Sequence, residues 1–410
     1  MNTGALNETP RGSRLHIAIL GRRNAGKSSL INALTNQTIA IVSEAPGTTT
    51  DPVYKSMEIL PIGPVVLIDT AGIDDMGELG ELRVKKAIEI LHNVDLMVLV
   101  IDPSLGPGDY ELDLIQKAGS QGVPVVGVLN KIDQQLEVTP DDLEGRLGIR
   151  VVPVSAVTRQ GIEDLKQAMI EAAPKGWVAP SIVGDLIGPG DTVILVVSID
   201  LAAPKGRLIL PQVQTIRDIL DSDACALVVK EEELKQVLEG FWRKPELVVT
   251  DSQVFARVDA DTPANIPLTS FSILFARYKG NLEALVSGVQ AVDALKPGDR
   301  VLIAEACTHH RVEDDIGTVK IPRWLNQRVG GELNFDWSSG IEMPENLSRY
   351  QLVVHCGACM INRKQMLHRI AQATAAGVPI VNYGVLIAYL HGILKRALEP
   401  FPSARQLLGD

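Results

Sequence analysis

Two short runs, Cys307-Thr308-His309-His310 and His355-Cys356-Gly357-Ala358-Cys359, hold three of the four cysteines and three of the seven histidines of the sequence. Thiolates and imidazoles gathered this closely are ligands for a soft or borderline metal. A second chemical signature stands near the other end of the chain. Gly21-Arg22-Arg23-Asn24-Ala25-Gly26-Lys27-Ser28, followed by Ser29, has the spacing of a phosphate-binding loop. In such a loop backbone N–H groups cradle phosphates, the lysine neutralises charge and the serine hydroxyl ligates Mg²⁺. One polypeptide therefore joins a nucleotide site to a metal site.

The nucleotide chemistry needs several loops held at one edge of a sheet, and further motifs follow in the required order. Gly47-Thr48-Thr49-Thr50-Asp51 lies where a switch threonine, Thr49, joins Ser28 on Mg²⁺. Asp69-Thr70-Ala71-Gly72 ends an apolar run, so Asp69 supports the metal and the Gly72 N–H faces a γ-phosphate. Asn130-Lys131-Ile132-Asp133 ends another, and Asp133 can accept two hydrogen bonds from guanine that adenine does not offer. Ser155-Ala156 follows the next strand and supplies a backbone contact to the guanine oxygen. Together these motifs read as a GTPase domain, with Lys27, Thr49, Asp69 and Gly72 serving hydrolysis.

Ile73 follows Gly72 where Ras-like proteins carry a water-orienting glutamine. With Asn24 and the Gly-Thr-Thr-x-Asp switch, this resembles the TrmE–Era branch of GTPases. The resemblance implies potassium activation, with Asn24 helping to bind K⁺; equally, Asn24 reads as a side chain that stabilises the loop.

For the cysteines two metals compete. Tetrahedral Zn²⁺ would add His309 or His355 to Cys307, Cys356 and Cys359. A 4Fe–4S cluster would take one thiolate on each of three irons and leave the fourth to another ligand. The runs follow apolar strands, Arg300–Ala304 and Gln351–Val354, at the strand ends where open α/β sheets bind ligands. Placement there, with the ligands 49 residues apart rather than in one small module, favours iron–sulfur. Cys225, entering an apolar strand alone, reads as packing.

The elements carrying these motifs form an α/β protein of two or three domains in 410 residues. Strands are expected at His16–Leu20, Val65–Ile68, Leu96–Ile101, Val123–Leu129 and Val151–Val154, with helices at Lys27–Leu34, Glu81–His92 and Gly161–Ala172. This is the rhythm of a doubly wound parallel sheet. Ala173–Gly190, rich in Pro and Gly, reads as a linker. A middle unit follows with strands Thr192–Ile199, Ala226–Val229 and Glu246–Thr250, an Arg207–Leu210 piece, and a helix at Val213–Leu220. The last unit carries helices at Asn281–Ala294, Lys364–Ala376 and Leu386–Leu398 and a strand at Val378–Val381. The net charge of −11 argues against broad nucleic-acid binding, and no apolar run reaches a membrane-spanning length. Four cysteines, three of them clustered, point to a reducing, cytoplasmic setting.

A GTPase domain, a small middle domain and C-x-H…H-C-x-x-C resemble the HydF family, the GTPase and scaffold of FeFe-hydrogenase maturation, over essentially the whole chain. The resemblance implies a GTPase domain at 1–175, a dimerisation domain at 184–265 and an α/β iron–sulfur domain at 266–410. It implies a 4Fe–4S cluster on Cys307, Cys356 and Cys359, with His309 and His355 at the motif's histidine positions. Asp200, in Asp200-Leu201-Ala202-Ala203-Pro204-Lys205-Gly206-Arg207, could approach the open iron or cap its own loop. It also implies GTP and Mg²⁺ as cofactors, a diiron precursor as cargo, a homodimer, and apo FeFe-hydrogenase and separate radical-SAM maturation enzymes as partners. An RNA- or ribosome-associated TrmE- or Era-like GTPase with a structural zinc site is the alternative.

Overall fold

The computed structural model describes residues 14–22, 24–35, 53–69, 89–104, 106–134, 138–174, 181–198, 208–240, 243–306, 315–340, 343–344, 346–358 and 361–409. The chain divides into two compact units, Met1–Val178 and Ala179–Asp410.

The first unit is built on six strands: β1 (Leu15–Gly21), β2 (Val53–Ile59), β3 (Gly63–Asp69), β4 (Leu96–Ile101), β5 (Val125–Leu129) and β6 (Val151–Pro153). Their order is β2-β3-β1-β4-β5-β6, parallel except for β2, which runs antiparallel to β3. Strand β1 shows why the sheet is central. Leu15, Ile17 and Ile19 enter one core and Ala18 and Leu20 the other, so both faces are buried. Helices Lys27–Thr35 and Ile162–Ala172 cover the first face, and Asp109–Ser120 and Pro140–Leu147 the second. The doubly wound sheet is thus as expected, with β2 added at its edge. That strand mixes apolar and polar residues and is partly exposed, so it lacks the continuous apolar run that marks the inner strands. Only the end of the expected Glu81–His92 helix falls within the described residues.

The second unit holds two four-stranded sheets over one continuous core running from Ile182 to Ala404. One comprises β7 (Thr192–Val196), β8 (Cys225–Val229), β9 (Leu247–Thr250) and β10 (Leu268–Ser270), in the order β10-β9-β7-β8. The other comprises β11 (Arg300–Glu305), β12 (Asn334–Ser339), β13 (Leu352–His355) and β14 (Ile380–Asn382), in the order β12-β11-β13-β14. All pairings in both sheets are parallel.

Several expectations are revised here. Residues 181–190 do not behave as a linker. Ile182 and Val183 are buried, and Asp218 Oδ2 accepts the N–H groups of Ile182, Val183 and Gly184 at 3.0, 2.8 and 2.7 Å. The first sheet gains β10, past the boundary expected at 265. The described part of Arg207–Leu210 forms no strand; Leu210 opens the helix Leu210–Asp221 with Pro in its first turn. The expected Leu386–Leu398 helix is two, Tyr383–Leu390 and Leu394–Ala397, separated at Gly392, whose φ is +72°. Helix Ile321–Val329 and strand β12 had no expectation. No described helix is long and apolar enough to cross a membrane.

Candidate functional site

In the first unit β1 delivers the chain into the phosphate loop, and the helix Lys27–Thr35 starts directly after it. The loop tolerates little bulk. A Cβ on Gly21 would lie 2.2 Å from the Val100 carbonyl oxygen, and one on Gly26, whose φ is +92°, 2.2 Å from Asn130 Nδ2. Asn24 also sits at positive φ, +62°, a region asparagine enters more readily than most residues. Lys27 is buried, and its ammonium donates to the carbonyls of Gly21 and Arg22 at 2.8 and 2.9 Å. The Ser28 hydroxyl donates to Asp69 Oδ2 at 3.0 Å, which brings two expected Mg²⁺-site residues together, one from helix Lys27–Thr35 and one from the end of β3. Ser29 is exposed on the same helix.

The guanine side is equally ordered. Asn130 links three motifs at once. Its Nδ2 donates to the Ala25 carbonyl at 2.9 Å, and its Oδ1 accepts the Ala156 N–H at 3.3 Å. Asp133 Oδ1 accepts the buried Ser155 hydroxyl at 2.6 Å, which orients the carboxylate. Thus Gly21, Asn24, Ala25, Gly26, Lys27, Ser28, Asp69, Asn130, Lys131, Asp133, Ser155 and Ala156 gather on the C-terminal edge of one sheet. Thr48, Thr49 and Gly72 lie outside the described residues.

Two residues here escaped the sequence reading. Asp102, just past β4, pairs with Lys131 Nζ at 2.7 Å and accepts the Ser104 N–H and hydroxyl at 2.9 and 2.6 Å. Burial pushes this carboxyl up, but hydrogen bonds from Lys131 and Ser104 and the lysine charge outweigh it and hold it below the usual carboxylate range. The only sequence signal was an acid ending an apolar run. Glu111, buried at the start of helix Asp109–Ser120, anchors Arg22 of the phosphate loop at 2.9 Å and accepts the Gly108 N–H at 2.9 Å.

In the second unit β11 and β13, the strands that precede the two cysteine runs in sequence, are adjacent and parallel. Ala304 of β11 pairs with His355 of β13, and the Cys356 N–H donates to the Ala304 carbonyl at 2.9 Å. The Ala306 N–H in turn donates to Cys356 Sγ at 3.2 Å. Ala306 directly precedes Cys307 in sequence, so the register sets Cys356 beside the residue before Cys307. Ala358 turns the chain at φ +56°, and the Asn362 side chain caps helix Arg363–Ala375. A partly exposed sulfur that accepts an N–H at a strand end suits a thiolate ligand. Cys307, His309, Cys359 and Asp200 lie outside the described residues. Among the described residues no group of three His, Cys, Asp or Glu is assembled that could hold a metal. Cys225 is exposed at the start of β8 rather than packed, because that strand is the sheet's edge.

His355 is wholly buried, and burial first, then the charge of Arg369, pushes its pKa down to about 3. Its imidazole is therefore neutral. Arg369 offers only N–H groups, so Nε2 accepts from Arg369 Nη1 at 2.6 Å and the remaining proton on Nδ1 is donated to the Cys356 carbonyl at 2.7 Å. Both ring nitrogens are thus engaged by protein atoms, and the ring steadies the cysteine loop. Glu305 and Tyr383 close the other side. Both are buried or nearly so, the Tyr383 hydroxyl donates to Glu305 Oε1 at 3.3 Å, and burial, then the charges of Glu305 and Cys356, push the phenol up.

Comparisons with known proteins agree with this division. Residues 16–131 match the family described as 50S ribosome-binding GTPase, residues 182–280 the hydrogen maturase F dimerization domain, and residues 283–400 the hydrogen maturase F tetramerization domain. The tRNA modification GTPase MnmE of Thermoanaerobacter sp. (strain X514) is 39% identical over 171 residues, 40% of this chain and 36% of that protein. GTPase Era of Synechocystis sp. is 36% identical over 192 residues, 43% of this chain and 60% of that protein. The chain therefore spans about a third of the first relative's length and less than two thirds of the second's. Among solved structures, the G domain of the T. maritima FeoB iron transporter matches 39% of this chain and 98% of its own, at 28% identity and a TM-score of 0.32. The first unit carries a GTPase domain, and the two hydrogen maturase F domains together take in more than half of the chain, which belongs to the hydrogen maturase F (HydF) family.

Proposed function

We propose that the chain is a GTP-hydrolysing scaffold that holds a 4Fe–4S cluster on Cys307, Cys356 and Cys359 and delivers a diiron precursor to apo FeFe-hydrogenase. The observation that carries this reading is the register of β11 and β13, which sets Cys356 beside the residue preceding Cys307, in a chain that also has an ordered GTPase site. Cys356, the one of the three cysteines among the described residues, fits the group. Cys356 is a partly exposed soft donor with an N–H on its sulfur, and the loop that carries it is steadied from below by His355. When bound, the cluster supplies a redox-active iron centre with one iron not held by cysteine. The three thiolates anchor it, while His309 and Asp200 remain candidates for contact with that iron. His355 acts here by holding the loop.

In the nucleotide site Lys27 and the loop N–H groups bind the phosphates. Ser28 and Thr49 ligate Mg²⁺, which Asp69 supports, and Gly72 meets the γ-phosphate. Water attacks the γ-phosphorus, the bond to the β-phosphate oxygen breaks, and GDP, phosphate and a proton leave. Asn24 would help to hold K⁺, which would supply positive charge beside the phosphates. Asp133 selects guanine. The chain works as a cytoplasmic homodimer through its middle domain and receives cargo from radical-SAM maturation enzymes, without binding nucleic acid or membrane.

Anaerobic reconstitution with iron and sulfide tests the reading. Brown protein that loses its iron on Cys356→Ala supports it. Colourless protein with stoichiometric zinc rejects it.

A further inference from the structure

The chain from the end of β4 into helix Asp109–Ser120 carries two buried carboxylates, and each reaches a different half of the nucleotide site. Asp102 pairs with Lys131 of the guanine-recognition motif at 2.7 Å. Glu111, in the first turn of the helix, is 1% exposed and lies 2.9 Å from Arg22 Nη2 in the phosphate loop. The first contact belongs to base recognition. The second joins a residue whose position the phosphate-loop motif leaves open to any side chain.

A carboxylate is buried at a cost unless it is paired and hydrogen-bonded. Glu111 Oε2 accepts from both Arg22 Nη2 and the Gly108 N–H, each at 2.9 Å. The fit leaves no room for a side chain at 108, where a Cβ would lie 2.4 Å from Arg22 Nη2. The carbonyl of Pro107, the preceding residue, accepts from Arg146 Nη2 at 3.2 Å, so the anchor is itself tied to helix Pro140–Leu147. Arg22 stands at the root of the phosphate loop. Its carbonyl and that of Gly21 accept the Lys27 ammonium at 2.9 and 2.8 Å. The helix thus holds the Arg22 side chain while the Arg22 backbone holds the lysine.

We propose that Glu111 is a positioning residue for GTP hydrolysis: through Arg22 it fixes the phosphate loop at the carbonyls that hold the Lys27 ammonium. Ground-state binding is spread over loop N–H groups, metal and base contacts, so a slack loop weakens it little. The alignment of the lysine counts most when negative charge builds on the phosphate oxygens as the bond to the γ-phosphorus breaks. Loss of the anchor therefore lowers kcat more than it raises KM. Asp102, which acts on the base loop, has the opposite signature.

The test uses the full chain with Mg²⁺ as wild type, Glu111→Gln, Arg22→Gln and the double variant, each checked for its fold by circular dichroism. Steady-state hydrolysis is measured with GTP and with ITP, whose base lacks the 2-amino group. Glu111→Gln removes the charge and keeps an oxygen for the Gly108 N–H. Arg22 is 34% exposed and solvent screens the pair, so kcat should fall about fivefold, with KM and the preference for GTP over ITP little changed. Arg22→Gln should lower kcat to a similar extent, and the double variant should be no slower than either single one, because both remove the same contact. A wild-type kcat in folded Glu111→Gln would overturn the proposal. So would losses that multiply in the double variant, or a fall in GTP preference alongside kcat, which marks a general loosening of the site. If Glu111→Gln does not fold, Gly108→Ala carries the test, because its methyl group displaces the Arg22 guanidinium and leaves the carboxylate in place. A lower kcat at a similar KM is expected there, and a wild-type kcat overturns the proposal.

Discussion

Asp133 and Lys131 are neighbours in sequence but are held by different partners, Ser155 and Asp102, and each partner makes a prediction at the scale of single residues. Asp133→Asn replaces an acceptor with a group that presents N–H to guanine's donors. Losing charged hydrogen bonds of about 1.5–3 kcal/mol each should weaken GTP binding at least roughly tenfold and favour xanthine nucleotides. Nucleotide titration calorimetry checks this, and undiminished GTP affinity would show the base-recognition motif to be misplaced. Asp102→Asn should be milder. Lys131 is 28% exposed, so solvent screens the pair, and about 1 kcal/mol implies a GTP KM raised roughly fivefold with kcat little changed. A change confined to kcat would contradict a purely positioning role. The contrast shows what was legible. Asp133, Lys27 and Asn130 stand in motifs whose spacing encodes their role. Asp102 and Arg369 act through partners 29 and 14 residues away; Asp102 is marked only as an acid ending an apolar run, and nothing in the local sequence marks Arg369.

Elements were readable where burial made them uniform. Strands β1, β4 and β13 are buried along their whole length; β4 is an unbroken apolar run, and β1 and β13 are apolar apart from His16 and His355. Strand β12, Asn-Phe-Asp-Trp-Ser-Ser, is a partly exposed edge strand with no such run. The other informative edge is β8. There Cys225 and Val228 are exposed, Val228 at 42%, and Leu220 on the preceding helix is 56% exposed. An open, apolar strand edge is a ready site for pairing with another chain. Its position within the match to the dimerization domain makes β8 the expected seam of the proposed homodimer. Val228→Lys combined with Leu220→Asp should therefore lower the mass of the particle by light scattering, with the fold intact by circular dichroism. An unchanged mass would place the seam elsewhere.

At the scale of the whole molecule, the GTPase site and the cysteine loops fall in different compact units. The sequence showed that division through its motif order, although the linker it implied is partly anchored by Asp218 and the middle sheet extends to Ser270. Separate units predict separable losses. Lys27→Ala should abolish GTP hydrolysis and leave iron binding at the wild-type level, and a folded variant that also lost its iron would contradict that independence. The joining of a GTPase to an iron–sulfur site in one chain is tested most directly by metal and sulfide analysis of anaerobically reconstituted wild type beside Cys356→Ala, with EPR of the reduced proteins. The prediction is about four irons and four sulfides per wild-type chain and a cluster signal that Cys356→Ala loses or greatly weakens. Wild-type protein carrying one zinc and no sulfide, or equal iron in the two proteins, would contradict it.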